Sequence, residues 1–250
     1  MAKQKGKRRR LWLTVLTLVV VAGLGGVGWY HAQTLTCRRI DVSGTRHADP
    51  AELLERARVD TGMVLFDLEP HLLEDRLAGD PWVQAADVTR LPTGTLSIRI
   101  QERTPVALAL DATGSPSRYL DRFGFAMPLV RGAHYDVPLL RGVKPEPARP
   151  LDQPAARALL EALAGLDAET DALISEFELR STGEVWLYTA PAGTRGAIPV
   201  RLGSSGFAPK LARLKAFWHQ AVLTRPEVRY AQVDLRFDSQ VVTQEEVTRP

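Results

Sequence analysis

An unbroken apolar run near the N-terminus constrains the chain most. Residues 11–30, LWLTVLTLVVVAGLGGVGWY, contain no ionisable side chain. A helix of this length rises about 30 Å, which matches the thickness of the hydrocarbon core of a bilayer. Each of its five Leu and five Val favours insertion by about 0.3 to 0.6 kcal/mol, and together they outweigh four Gly and two Thr. The run therefore predicts a single transmembrane helix.

The orientation of this helix follows from the basic tail before it, residues 1–10. The tail carries six Lys and Arg residues and no acid, and such clusters stay in the cytoplasm. The rest of the chain is therefore expected outside, as in a single-pass type II protein of the inner membrane. A cleaved secretory signal is the rival interpretation, because such signals also begin with basic and then apolar residues. The length of the run and the bulky Tyr30 at its end favour an uncleaved anchor.

The net charge of +3 changes sign once the tail is set aside. The chain after the tail has 26 Lys and Arg residues and 29 Asp and Glu residues, which gives a net charge of −3. A nucleic-acid partner is therefore not expected for the external part. Cys37 is the only cysteine, so no intramolecular disulfide can form and the external part must rest on hydrophobic cores.

The first external segment has the pattern of an α+β module. A short strand at 38–44 precedes a helix start, with Asp49 as N-cap and Pro50 in the first turn. A second helix is predicted at about 68–78. Two strands at 82–91 and 95–102 then form a hairpin, since apolar and polar residues alternate in the second one. The predicted order is β-α-α-β-β.

The remaining segment predicts a mixed, β-rich domain with two helices. Its short strands and helices are separated by Gly-containing turns and by a loop with four Pro residues at 144–154. The helices are predicted at about 152–166 and 209–223, and the strands at 174–180, 185–189, 198–202, 228–237 and 240–243.

No arrangement of residues in this sequence indicates catalysis or a cofactor. The GLGGVG match at 23–28 lies inside the apolar run, without the strand and βαβ unit of a dinucleotide site. The five His show no metal-binding spacing, and one Cys cannot build a cysteine-based zinc site. No catalytic residue, metal, cofactor or small-molecule substrate is therefore expected. The pattern favours a protein that binds and positions others.

Several blocks resemble the FtsQ/DivIB family of bacterial cell-division proteins. They are IDVSG at 40–44, PWVQAADVTR at 81–90, LSIRIQERTPVA at 96–107, LG at 202–203, KL at 210–211 and VDLRF at 233–237. Between the cytoplasmic tail at 1–10 with the transmembrane helix at 11–30 and a polar, mobile tail predicted at 244–250, the resemblance implies a POTRA domain at 37–105 and an FtsQ-type β domain at 106–243. The block residues of the POTRA domain are expected to be structural, with Trp82 and Val83 in the core, Arg103 paired locally and Pro105 at the hinge into the next domain.

The resemblance also implies a function. Such a protein is a non-enzymatic scaffold at the division septum, which links early and late division proteins and controls septal peptidoglycan synthesis. Its expected partners are FtsB- and FtsL-like proteins and the septal wall synthase complex, bound by strand addition at a terminal edge strand. The residues carried over for this binding are Arg236, Phe237, Asp238, Ser239, Gln240, Val241, Val242 and Thr243.

Two questions stay open at the level of sequence. Phe237 shares the parity of Val233 and Leu235 in the predicted strand, so it could equally belong to the core of the domain or to the interface. The other functional interpretations are a POTRA-bearing translocation or chaperone component of the envelope and an anchored wall hydrolase or transferase.

Overall fold

The computed structural model describes residues 12–24, 26, 34–130, 132, 134–191, 196–238 and 240–246. Residues 12–24 are helical. The basic tail and residues 11, 25 and 27–30 of the predicted transmembrane helix lie outside the described residues. The chain divides into two compact units, Met1–Glu102 and Arg103–Pro250.

Within the described ranges, no helix is both long and apolar enough to cross a membrane.

The first unit has the predicted order β-α-α-β-β. Its elements are β1 (Arg39–Ser43), α1 (Pro50–Ala57), α2 (Pro70–Leu77), β2 (Val83–Leu91) and β3 (Thr95–Glu102), with a short 3-10 turn at Leu65–Asp67. The strands form one sheet in the order β1-β3-β2. β2 and β3 form the predicted antiparallel hairpin, and β1 pairs parallel to β3.

The alternation in β3 decides which side chains fill the core of this unit. Leu96, Ile98 and Ile100 are at most 3% exposed, because alternate residues of a strand point to the same face. Trp82 and Val83 are buried beside them, so the expected structural role of this block is confirmed. Asp49 caps α1 as predicted, since its side chain accepts the Ala51 N–H at 2.8 Å.

The last residue of β3 fastens the connection between β1 and α1. The Glu102 carboxylate accepts the backbone N–H groups of Arg46, His47 and Ala48 at 2.6, 2.8 and 3.0 Å, and it lies 2.9 Å from His47 Nδ1. Burial alone would raise the pKa of the Glu102 carboxyl, but these four hydrogen bonds outweigh it and hold the pKa below its ordinary value of 4.5.

This carboxylate predicts an acid sensitivity of the first unit. A group whose pKa is lower in the folded state stabilises the fold above its ordinary pKa, and this stabilisation is lost as pH falls toward the folded value. We expect Glu102→Gln to lower the free energy of unfolding by about 1 to 2 kcal/mol at pH 7. The loss should shrink as pH falls below the ordinary value of 4.5, because the unfolded wild-type chain then takes up a proton that the folded carboxylate resists.

Hydrogen exchange of the β1–β3 amides measures this, because it reports the opening of this unit by itself. Glu55→Gln is the matched control, since Glu55 lies exposed on α1. A loss that is equally large at pH 7 and at pH 3.5 would contradict the assignment.

The second unit is built on a nine-stranded mixed sheet. Its strands are β4 (Pro105–Leu110), β5 (Pro116–Asp121), β6 (Ala126–Pro128), β7 (Leu139–Arg141), β8 (Ile174–Leu179), β9 (Val185–Thr189), β10 (Pro199–Gly203), β11 (Tyr230–Asp234) and β12 (Val242–Glu245). They lie in the order β12-β11-β10-β9-β8-β7-β4-β5-β6. The pairs β4–β7, β7–β8 and β10–β11 are parallel.

Helices α3 (Pro154–Leu163) and α5 (Phe207–Phe217) contribute to the core of this unit, and α4 (Ala168–Asp171) is a single short turn. Leu159 and Leu160 of α3 and Leu211 of α5 are fully buried with Phe177 of β8. The helix predicted at 209–223 differs from the observed one. The observed helix begins at Phe207 and ends at Phe217. There the chain widens into a π-turn, Trp218–Val222, which buries Trp218 and Val222.

Residues 103–107, which end the LSIRIQERTPVA block, begin the second unit and are structural, as expected. Arg103 Nη1 donates to Asp121 Oδ2 at 2.7 Å, and both side chains are nearly buried. The Arg103 guanidinium also lies 4.1 Å from the centre of the Phe125 ring. Pro105 is the first residue of β4, the position in a strand where a missing N–H is tolerated.

Candidate partner-binding edge

Strand β12 ends the nine-stranded sheet on one side. It pairs with β11 in antiparallel register, with Asp234 opposite Val242 and Val233 opposite Thr243. All four of its residues are exposed, and in the described part of the chain no strand lies on its other side. An edge strand presents unpaired N–H and C=O groups to any incoming strand. β12 therefore has the geometry required for strand addition.

A hydrogen bond at the end of β12 indicates which of its backbone groups face outward. Glu246 N–H donates to Arg229 O at 2.8 Å, so Glu246 directs its backbone groups toward β11. Successive residues of a strand direct these groups to opposite sides. Gln244 and Val242 therefore face β11, and Thr243 and Glu245 offer their N–H and C=O groups to the open side.

The observed strands differ from the predicted ones at this edge. The sequence predicts strands at 228–237 and 240–243, and the structure has Tyr230–Asp234 and Val242–Glu245. β11 ends early because the Asp234 carboxylate accepts the Arg236 N–H at 3.0 Å, a local turn that competes with strand pairing. β12 extends to Glu245, so Gln244 and Glu245 lie in the last strand and not in the mobile tail predicted at 244–250. Residues 247–250 are outside the described residues.

The same turn settles the position of the Phe237 side chain. Val233 and Leu235 are buried, whereas Phe237 is 51% exposed, because the chain leaves the strand geometry after Asp234. The possibility that Phe237 belongs to the core is therefore wrong. Arg213 of α5 contributes to holding the turn, since its guanidinium donates to the carbonyl oxygens of Leu235, at 3.3 Å, and Phe237.

Arg236 is paired within the domain. Its Nε donates to Asp234 Oδ1 at 3.0 Å, its Nη2 to Asp234 Oδ2 at 2.7 Å and its Nη1 to Glu184 Oε1 at 3.3 Å. The hydrogen bond to Asp234 raises the pKa of Arg236. Burial would raise the pKa of Asp234, but its bonds to Arg236 and the nearby Arg201 lower it. Arg236 therefore stabilises the turn.

The other residues of the predicted segment have different surroundings. Asp238 and Gln240 are exposed, and Val241 packs partly buried against the core. Val242 and Thr243 are exposed on β12. Ser239 lies outside the described residues. The structure thus presents Phe237 and the open side of β12 on one continuous stretch of chain.

A buried lysine, which the sequence pattern did not predict, lies beside this turn. Lys210 is 7% exposed, and its Nζ donates to the carbonyl oxygens of Leu202 and Ser205, both at 2.6 Å. Burial lowers the pKa of Lys210. The LG block at 202–203 and the KL block at 210–211 contain Leu202 and Lys210, the two residues that one of these bonds joins. These blocks were therefore the sequence signal that pointed to this contact.

The described residues contain no group of His, Cys, Asp or Glu side chains that could hold a metal ion. One cavity near this edge lies at the start of β11, beside Ile198, Tyr230 and Glu246, and measures about 60 Å³. A drug-sized ligand needs roughly 300 Å³ or more, so this cavity cannot enclose one.

Comparisons with known proteins cover almost the whole chain. Residues 35–103 match the model of the POTRA domain, FtsQ-type, and residues 104–244 match the model FtsQ/DivIB, C-terminal related. The chain is 51% identical over 247 residues to the cell division protein FtsQ of Rhodothermus marinus, covering 98% of this chain and 90% of that protein. It is 41% identical over 243 residues to the FtsQ of Salinibacter ruber, with 94% and 91% covered. The chain therefore belongs to the FtsQ/DivIB family of cell-division proteins.

Proposed function

We propose that this chain is a single-pass membrane scaffold of the bacterial division machinery that binds a partner strand along β12. The observation that carries the proposal is the open edge, where four exposed residues end a nine-stranded sheet. Main-chain hydrogen bonds would supply the affinity of strand addition, and neighbouring side chains its selectivity. The role is one of binding and positioning, without catalysis.

The proposed partners are FtsB- and FtsL-like division proteins, and through them the septal wall synthase complex. The proposed contact segment is 236–243, and its residues are proposed to contribute to binding in different ways. Thr243 offers outward backbone groups and Phe237 offers a half-exposed ring, which is the kind of side chain that dominates interface energies. Arg236 holds the turn in place, because its charge is already paired with Asp234 and Glu184.

The anchor of the proposed scaffold is the apolar run at 11–30. Its described part, residues 12–24, is helical, and its large apolar side chains are more than half exposed, including Trp12 at 77% and Leu18 at 68%. A contiguous exposed apolar surface of this kind marks a site of contact with a membrane or another protein. With the basic tail in the cytoplasm, the rest of the first unit after the anchor and the whole second unit lie outside the inner membrane, concentrated at the septum.

A fluorescently tagged copy at native expression level tests this function. Bands at the septum, together with filamentation after depletion, are the expected result. Uniform fluorescence of the envelope with normal septation would reject the division role and favour a translocation or chaperone component.

A further inference from the structure

Three large apolar side chains of the first unit are exposed on two neighbouring loops. Met63 and Phe66 lie on the loop between α1 and α2 and are 42% and 48% exposed. Leu91 lies at the turn of the β2–β3 hairpin and is 39% exposed. None of the roles described above uses these side chains.

The loop that carries Met63 is hydrogen-bonded to the first described residues after the apolar run. Leu65 N–H donates to Leu35 O at 2.8 Å, and Cys37 N–H donates to Met63 O at 2.8 Å. Gly62 N–H closes the pattern by donating to Cys37 O at 2.7 Å. These three bonds hold the loop against residues 35–37.

The hairpin turn joins the same surface. Arg38 N–H donates to Gly94 O at 2.7 Å, and Arg90 Nη1 donates to Phe66 O at 3.0 Å. The Arg90 guanidinium lies 5.2 Å from the centre of the Phe66 ring. These contacts unite both loops and residues 35–38 in one surface, which we call the anchor-proximal face.

The length of the chain restricts how far this face can lie from the membrane. The apolar run ends at residue 30, and Leu35 follows five residues later. Five residues span at most about 18 Å when fully extended. The headgroup layer adds roughly 5 to 8 Å on each side of the hydrocarbon core, so the anchor-proximal face lies within reach of the headgroups.

The chemistry of the face suits a phospholipid surface. Apolar side chains from neighbouring loops can enter the boundary between headgroups and acyl chains. The side chain of Arg38 lies next to Gly94 at the hairpin turn, and that of Arg90 lies beside Phe66. Both can contact lipid phosphates, while the long arginine stems cover apolar surface. Asp60 and Asp67 border the same loop, and their charges limit how strongly anionic lipids are preferred.

We propose that the anchor-proximal face binds the outer surface of the membrane, with Phe66, Met63 and Leu91 in the headgroup layer. The proposal rests on the proposed membrane anchor. Its consequence is that the first unit is held against the bilayer at a defined orientation, and is not free to rotate about the segment that follows the anchor.

The test uses the full chain in nanodiscs of phosphatidylcholine and phosphatidylglycerol. Cys37 is replaced by Ala in every variant, and an environment-sensitive NBD fluorophore is attached at Phe66→Cys. The matched control carries the fluorophore at Gln101→Cys, which is also exposed but lies six residues beyond Thr95 along β3, about 20 Å from the hairpin turn. Quenching by a shallow spin-labelled lipid is measured at both positions.

We expect the probe at position 66 to emit at shorter wavelength and to be quenched about threefold more strongly than the probe at 101. A second variant carries the probe at Leu91→Cys. Adding Met63→Asp and Phe66→Asp to this variant should lower the quenching of its probe to the level seen at position 101. Equal emission and quenching at positions 66 and 101 would overturn the inference. It would also be overturned if the probe at position 66 became shielded from water only after another protein was added.

The outcomes separate this inference from the proposed function. A chain that fails to copurify with nanodiscs would overturn the membrane anchor and this inference with it. A chain that is incorporated but leaves position 66 in water would overturn the inference alone, since septal localisation and partner binding at β12 do not depend on it.

Discussion

Replacing Thr243 with proline is expected to weaken binding of an FtsB-like partner at least about 100-fold, or about 2.7 kcal/mol. Thr243 directs its N–H to the open side of β12, as the bond from Glu246 to Arg229 indicates. Proline removes this donor and leaves a partner carbonyl without a hydrogen bond, and its ring obstructs the approach of a second backbone. The β11–β12 pairing should survive, because proline is tolerated where a strand faces solvent.

Thr243→Ala is the matched control, since it shortens the side chain but keeps the N–H group. Isothermal titration calorimetry with the partner domain should show near wild-type affinity for the alanine variant. Thermal unfolding of both variants establishes that the domain remains folded. Wild-type affinity in a folded Thr243→Pro variant would show that the partner does not pair with β12.

Replacing Phe237 with alanine is expected to cost about 2 kcal/mol of binding free energy, which is roughly a 30-fold loss of affinity. The ring is half exposed in the free protein, so it can lose its remaining contact with water when a partner covers it. For the same reason the stability of the domain should change by no more than about 0.5 kcal/mol.

Phe123→Ala is the control for this second substitution. Phe123 is 46% exposed and lies at the turn between β5 and β6, at the other end of the sheet order. Its removal should leave partner affinity unchanged. An equal loss in both variants, or no loss in either, would contradict the assignment of Phe237. Arg236→Glu is unsuited to this test, because it would place a negative charge beside Asp234 and Glu184 and disturb the turn itself.

Local patterns were sufficient to predict the order of helices and strands in the first unit. The alternation of Leu96, Ile98 and Ile100 gave the buried face of β3, and Asp49 with Pro50 marked the start of α1. These signals depend on neighbouring residues, so tertiary contacts did not override them. The parallel pairing of β1 with β3 joins residues more than 50 positions apart, and no local pattern contains that information.

The proposed site shows the limit of periodicity more clearly. The parity of Val233, Leu235 and Phe237 predicts a common buried face, but the Asp234 carboxylate turns the chain after β11 and leaves Phe237 exposed. A side chain that competes for backbone hydrogen bonds cannot be recognised from hydrophobic alternation. Likewise, a lysine on an amphipathic helix is normally solvated, and the buried bonds of Lys210 depend on carbonyl groups that only the folded loop brings near.

Hydrogen exchange of the full chain, free and bound to its FtsB-like partner, tests strand addition at β12 most directly. Binding by strand addition should slow exchange of the Thr243 and Glu245 amides, which face outward, at least about tenfold. The amides of Val242 and Gln244 already face β11 and should change less. Unchanged exchange at Thr243 and Glu245 in a saturated complex would contradict the account.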